Sequence, residues 1–173
     1  MNPHEIFLDM ALREARRAAE LGEVPVGAVI VHQGQVIGRG HNRTESLQDP
    51  TAHAEVLAIT AAANQLGSWR LEACTLYVTL EPCTMCGGAC VLARIPLVVF
   101  GAWDPKAGAC GSVHNVVQRP ELNHRVELLG GVRELECGEL LRQFFRERRA
   151  EARLARTREQ PEVQHDRDDD PEY

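Results

Sequence analysis

Two short motifs hold most of the groups in this chain that could do chemistry. They are His53-Ala54-Glu55 and, twenty-six residues later, Pro82-Cys83-Thr84-Met85-Cys86. Imidazole and thiolate are zinc donors, and a catalytic zinc site uses three protein ligands, leaving the fourth tetrahedral position for water. His53, Cys83 and Cys86 make such a set. The two cysteines stand three apart at an expected helix start, which brings both sulfurs to one face, where the helix N-terminus favours thiolate over thiol. His53 and Glu55 stand two apart, about 200° around an ideal helix, so a metal beside that helix cannot meet both. The ion is therefore expected off the N-terminal ends of two helices, with Glu55 moving protons instead of ligating.

A zinc ion at such a site lowers the pKa of water from about 15.7 toward about 7, making a nucleophile at neutral pH. A carboxylate beside it can take the water proton, pass it to a ring nitrogen and then protonate a leaving amine. H-x-E followed by P-C-x-x-C is the signature of the zinc deaminases that act on nucleobases. Each half has other readings: C-x-x-C occurs in redox proteins and zinc ribbons, and H-A-E on an alanine-rich helix is commonly a solvated or capped pair. The joint pattern disfavours them, since a thioredoxin-like role gives His53 and Glu55 nothing to do. Cys90, one turn beyond Cys86, is a rival ligand by spacing but reads as core. Cys74, Cys110 and Cys137 have no partner at ligand spacing, and no structural disulfide is expected.

The elements that must position these groups follow from periodicity. Apolar residues at Ile6, Phe7, Met10, Ala11, Ala15, Ala18 and Leu21 predict a helix over 3–21, stopped by Gly22. β-branched runs over 24–31 and 35–40 flank His32-Gln33-Gly34 and predict a hairpin. Helices are expected over 51–66, 82–94 and 137–156, and strands over 75–80, 97–102 and, more weakly marked, 126–129. Alternating helices and strands after a hairpin imply an α/β layered structure, a mixed sheet with helices on both faces.

The chain has 173 residues, 44% hydrophobic and 25% charged, which fits one ordinary globular domain. Its net charge of −6 is unevenly spread: the last fifteen residues hold seven acids and one arginine, leaving eighteen acids and eighteen bases before them. A single domain over 1–158 is expected, followed by an acidic, disordered tail over 159–173. Between Glu139 and Arg158 seven arginines face three glutamates, an excess of +4 on an expected helix. No apolar run approaches the roughly 20 residues a spanning helix needs, and MNPHEIFLDM does not read as a secretory signal, so the expected location is cytoplasmic.

The stretches VPVGAV, HNR, DPTAHAE, LYVTLEPCTMC, FGA followed by Asp104 and Lys106, GSVHNVV, NHRVE and LLRQFFRERR together resemble the bacterial tRNA-specific adenosine deaminases, in the cytidine-deaminase-like superfamily. The likeness covers roughly residues 5–150. It implies a three-layer α/β/α fold with a mixed five-stranded sheet, one zinc ion per subunit, a homodimer, and conversion of adenosine to inosine at the wobble position of tRNA anticodons. It further implies that Asn42 hydrogen-bonds the flipped base and that Val26, Ala54 and Glu81 shape its pocket. Asp104 and Lys106 match a loop touching neighbouring nucleotides, and Phe144, Phe145 and Arg146 match a helix packed on the anticodon loop. Unpaired loop bases suit aromatic and arginine partners, although Phe144 and Phe145 read equally well as core of an amphipathic helix and Asn42 as a turn residue. Trp103, beside Asp104, departs from the basic residue that RNA would favour.

Two other functions fit the same motifs. One is deamination of a free base or nucleoside, such as cytosine, guanine or deoxycytidylate; the Arg-rich helix discriminates against it. The other is a structural zinc module without turnover, which would tolerate Glu55→Gln.

Overall fold

In the computed structural model, residues 2–159 are described, so the expected tail lies outside the described residues from position 160 onward. Helix α1 spans Pro3–Glu20 and opens with a capping box: the Asn2 side chain accepts the His4 amide while Glu5 accepts the Asn2 amide. Strands β1 (Gly27–His32) and β2 (Gln35–His41) form the hairpin, turned by Gln33 and Gly34 at φ 49° and 76°. The turn thus uses consecutive left-handed residues, as two-residue hairpins do. A short α2 (Thr44–Leu47) follows, then α3 (Ala54–Leu66), β3 (Cys74–Leu80), α4 (Thr84–Leu92), β4 (Leu97–Ala102), β5 (Glu127–Leu129) and α5 (Glu134–Glu159).

The five strands form one mixed sheet in the order β2-β1-β3-β4-β5. β1 is antiparallel to both neighbours, whereas β3, β4 and β5 run parallel. Period-2 alternation splits the sheet into two apolar faces. Ala28, Ile30, Leu76, Val78, Val98 and Phe100 pack with Ala54, Ala58, Ala62 and Cys90 of α3 and α4. Val29, Val31, Tyr77 and Val99 pack on the other face with Leu8, Ala11 and Leu12 of α1 and Cys137 of α5. This is the expected three-layer α/β/α arrangement, and each large apolar side chain fully buried in it contributes about 1.5–3 kcal/mol.

The alanine content of α3 has a specific use. Ala54, Ala58 and Ala62 are fully buried at i, i+4 spacing. A Cβ on Gly38 or Gly40 of β2 would collide with the backbone of α3 at these residues. Small residues on both partners let the helix backbone lie directly on the strand, which fixes where the start of α3 falls. Several boundaries differ from the sequence expectation. β1 begins at Gly27 instead of residue 24, because Pro25 has no amide and the Val26 amide turns back to the Val24 carbonyl at 2.8 Å. α3 and α4 begin at Ala54 and Thr84, later than residues 51 and 82. α5 begins at Glu134 and runs to Glu159, so the first residue of the expected tail is helical.

Candidate active site

β3 and β4 are parallel neighbours, so the chain leaves both at the same edge of the sheet. After β3, Glu81 and Pro82 lead to Cys83, the N-cap of α4; after β4 come Trp103 and Asp104. Crevices beyond the carboxyl ends of parallel strands are where α/β sheets build sites. His53 is the N-cap of α3 in extended backbone, at φ −78° and ψ 152°, and Cys83 is the N-cap of α4 at φ −73° and ψ 176°. Both helices thus end on the same group of donors.

His53 Nδ1 lies 3.7 Å from Cys83 Sγ and 3.6 Å from Cys86 Sγ, and the three donor atoms all lie within 4.8 Å of one another. A tetrahedral ion with Zn–S of about 2.3 Å and Zn–N of about 2.0–2.1 Å separates its ligands by about 3.5–3.8 Å. The distances therefore fit zinc. The protonation chemistry points the same way. Hydrogen bonds from Cys86, then from His53, hold the Cys83 thiol down at about 3. Hydrogen bonding to Cys83 and burial push Cys86 up.

Glu55 sits one residue into α3 and is only 4% exposed. Burial first, and then the charge of Cys83, push its carboxyl up to about 7, against the opposing hydrogen bond from its own amide. A carboxyl poised there suits proton transfer in both directions. Asn42, at the end of β2, is buried; its Oδ1 accepts the Ala54 amide at 2.9 Å and its own amide donates to the Val26 carbonyl at 3.1 Å. Val26 and Ala54 are buried in the core beside it. Cys90 is fully buried, and all six cysteines are free.

Glu81 has a role that its spacing does not reveal. Its carboxylate is buried and accepts the amides of Asp104 at 2.9 Å, Cys110 at 3.0 Å and Ser112 at 3.0 Å, as well as the Ser112 hydroxyl. Burial raises its pKa, but these four hydrogen bonds outweigh it and the net shift is downward. Glu81 thereby ties the segment after β4 to the residue two before Cys83. Asp104 turns inward, its Oδ1 accepting the Lys106 and Ala107 amides, while Lys106 is exposed.

A groove of about 830 Å³ opens between this loop and α5. Asp104, Lys106, Phe145 and Arg146 all line it, together with Trp103, Arg142 and Arg149; none of the three metal donors does. Phe144 does not join them. It lines a smaller cleft with Ala19 and Leu140, meets Phe145 edge-on at 5.4 Å, and has the Arg148 guanidinium 5.6 Å from its ring centre. Arg142, Phe145, Arg146 and Arg149 fall on one helix face by i, i+3, i+4 spacing, a signal the sequence offered but that singling out the FFR triplet obscured.

Residues 1–149 match a family described as MafB19-like deaminase. The chain is 51% identical over 156 residues to the tRNA-specific adenosine deaminase of Bacillus subtilis, covering 90% of this chain and 97% of that one. It is similar to a solved tRNA:A34 deaminase studied for A-to-I editing at the wobble position of transfer RNA, with a TM-score of 0.76 and 48% identity over 78% of this chain and 98% of that chain. It also resembles a solved guanine deaminase of Bacillus subtilis, with a TM-score of 0.58 and 38% identity, covering 73% of this chain and 83% of that chain.

Proposed function

This chain belongs to the tRNA-specific adenosine deaminases among the MafB19-like deaminases, and we propose how its own residues convert wobble-position adenosine to inosine. The observation that carries the reading is that the segments leaving the parallel strands β3 and β4 at the same end of the sheet carry, respectively, the cysteines of a three-donor centre set beside a buried glutamate and one wall of a basic, aromatic groove. Residues 1–158 are taken as one deaminase domain.

His53, Cys83 and Cys86 would hold one zinc ion per chain, which supplies Lewis acidity and makes water nucleophilic at neutral pH. Hydrolytic deamination forms a bond from water oxygen to C6 of adenine and breaks the bond from C6 to the exocyclic nitrogen, which departs as ammonia. Glu55 accepts one proton from water and gives it to the ring nitrogen beside C6; it then takes the remaining proton from the new C6 hydroxyl and delivers it to the exocyclic nitrogen, which departs as ammonia while C6 becomes a carbonyl. Asn42 orients the base: with Oδ1 occupied by the Ala54 amide, its Nδ2 is the group left to meet an acceptor. Val26 and Ala54 bound the pocket, and Glu81 holds the loop that carries Asp104 and Lys106.

Lys106, Phe145 and Arg146 take the anticodon loop, using cationic and aromatic contacts suited to unpaired nucleotides. Phe144, facing the other cleft, supports the helix instead. Deamination of a free base on the same centre is the second reading, favoured by the likeness to guanine deaminase. The groove argues against it, because a small base leaves its aromatic walls and its cations unused: Arg142 and Arg146 share the single carboxylate of Glu139 at 3.0 and 2.7 Å, and Lys106 and Arg149 complete the basic rim.

The functional unit is a homodimer. Met85, Gly88 and Leu92 form an outward stripe on α4, with Leu92 71% exposed and open space beside Gly88, so an apolar face is left for a second copy. Free cysteines suit a reducing, cytoplasmic setting, and no described helix is long and apolar enough to cross a membrane.

The double variant Arg146→Glu and Arg149→Glu tests the substrate. It should lose inosine formation in tRNA while keeping a full complement of zinc. Undiminished editing in that variant at physiological salt would overturn the assignment of the groove.

A further inference from the structure

Trp103 is the first residue beyond β4, and its backbone is clamped from both sides by Glu81. The Glu81 amide donates to the Ala102 carbonyl at 2.8 Å, and the Glu81 carboxylate accepts the Asp104 amide at 2.9 Å. The indole is held as firmly. It stands edge-on to Phe100, ring centres 4.7 Å apart at 90°, and packs over Gly130, where any Cβ would press within 2.7 Å of the ring. Gly130 and Phe100 therefore make a seat in which the indole fits only because a side chain is missing.

A tryptophan held this tightly would ordinarily be buried on all sides, yet Trp103 is 44% exposed. It lines the same groove as Lys106, Arg142, Arg146 and Arg149, with Phe145 of α5, itself 44% exposed, as the second aromatic wall. Four cations stand against Asp104, Glu134 and Glu139, the last paired with both Arg142 and Arg146, which leaves the rim an excess of one positive charge; the Asp104 side chain is already satisfied by loop amides. A rigid aromatic face inside a cationic rim has the chemistry that takes an unpaired base by stacking and its phosphates by charge.

We infer that Trp103 is a nucleotide-binding residue, a fixed platform on which an unpaired base flanking the edited adenosine stacks. The inference rests on the tRNA-deaminase reading. Trp103 adds affinity and selects single-stranded RNA but takes no part in proton transfer. Glu81, two residues before Cys83, holds the loop that carries this platform.

The chain has two tryptophans, and Trp69 lies elsewhere, in the turn after α3 beneath Arg70. In a Trp69→Phe background Trp103 is the only indole. Titration with an anticodon stem-loop carrying wobble adenosine should quench its fluorescence, while a blunt RNA duplex of equal charge should not. Trp103→Leu, which retains apolar packing without a π face, should raise KM for the stem-loop between about 5- and 150-fold, the range that base stacking spans. Its kcat and zinc content should stay near those of the parent while its melting temperature falls with the lost packing on Phe100, and Trp103→Phe should restore most of the affinity. Equal KM values for the Leu and Phe variants, or quenching by duplex as strong as by stem-loop, would overturn the inference while leaving the deaminase reading intact. If the parent protein forms no inosine in the stem-loop, the reading and the inference fall together.

Discussion

Asn42 and Ala54 are joined by a buried hydrogen bond, 2.9 Å from the Ala54 amide to Asn42 Oδ1. It fastens the end of β2 to the first residue of α3, between His53 and the carboxyl of Glu55. Asn42→Ala leaves that amide without its acceptor and removes a cap-like interaction of about 1–2 kcal/mol. A melting temperature lower by about 2–8 °C is expected for a chain of this size, with a loss of turnover larger than the loss of stability. A stable variant with normal turnover would show that Asn42 only closes the turn.

Glu55→Gln keeps the shape of the side chain and removes its proton chemistry. The expected result is intact zinc binding with turnover reduced about 10²- to 10⁴-fold or more, read by metal analysis and inosine formation on the same preparation. Cys83→Ala should do the reverse in order of cause, losing the metal first and activity with it. A Glu55→Gln enzyme that turns over normally would contradict the mechanism.

Glu81 predicts a pH dependence of stability. Its folded pKa is lowered by hydrogen bonds that burial only partly offsets. A lowered carboxyl contributes stability that is present above its ordinary pKa of about 4.5 and is lost as pH falls through the folded value. Thermal melts between pH 6 and pH 3 should therefore show a steeper acid loss in the parent than in Glu81→Gln, which lacks the charge. Parallel curves would mean that the carboxylate does not hold the loop after β4.

Leu92→Glu places a charge on the outward stripe of α4. Sedimentation analysis should show a shift from dimer to monomer with secondary structure unchanged. A variant that sediments as the parent does would place the interface on another face.

The parts of the fold legible in sequence were those set by short-range pattern. β4 falls over the expected residues, and the alternating faces of β1 and β3 follow from their β-branched runs. The grouping of His53, Cys83 and Cys86 was legible because the spacing of such side chains is itself a local property: His53 and Cys83 are the N-caps of two helices, where the separation from Glu55 and Cys86 led one to expect them. What escaped was held by distant partners. α2 has four residues and no periodicity of its own. It is organised by buried Glu23, whose carboxylate accepts the amides of Ser46 at 2.7 Å and Glu45 at 3.2 Å. Likewise, Glu81 grips residues 23 to 31 positions away, beyond any motif window. The opposite facing of Phe144 and Phe145 depends on where α5 crosses the sheet, which adjacent phenylalanines alone do not fix.

Purified, zinc-loaded protein can be presented with a tRNA transcript bearing adenosine at the wobble position, beside free adenosine, cytosine and guanine. Inosine should form at that one position, with no change in the free compounds. Deamination of a free base with the transcript untouched would contradict the tRNA-deaminase reading, leaving the His53, Cys83 and Cys86 centre in place and the basic groove without a function.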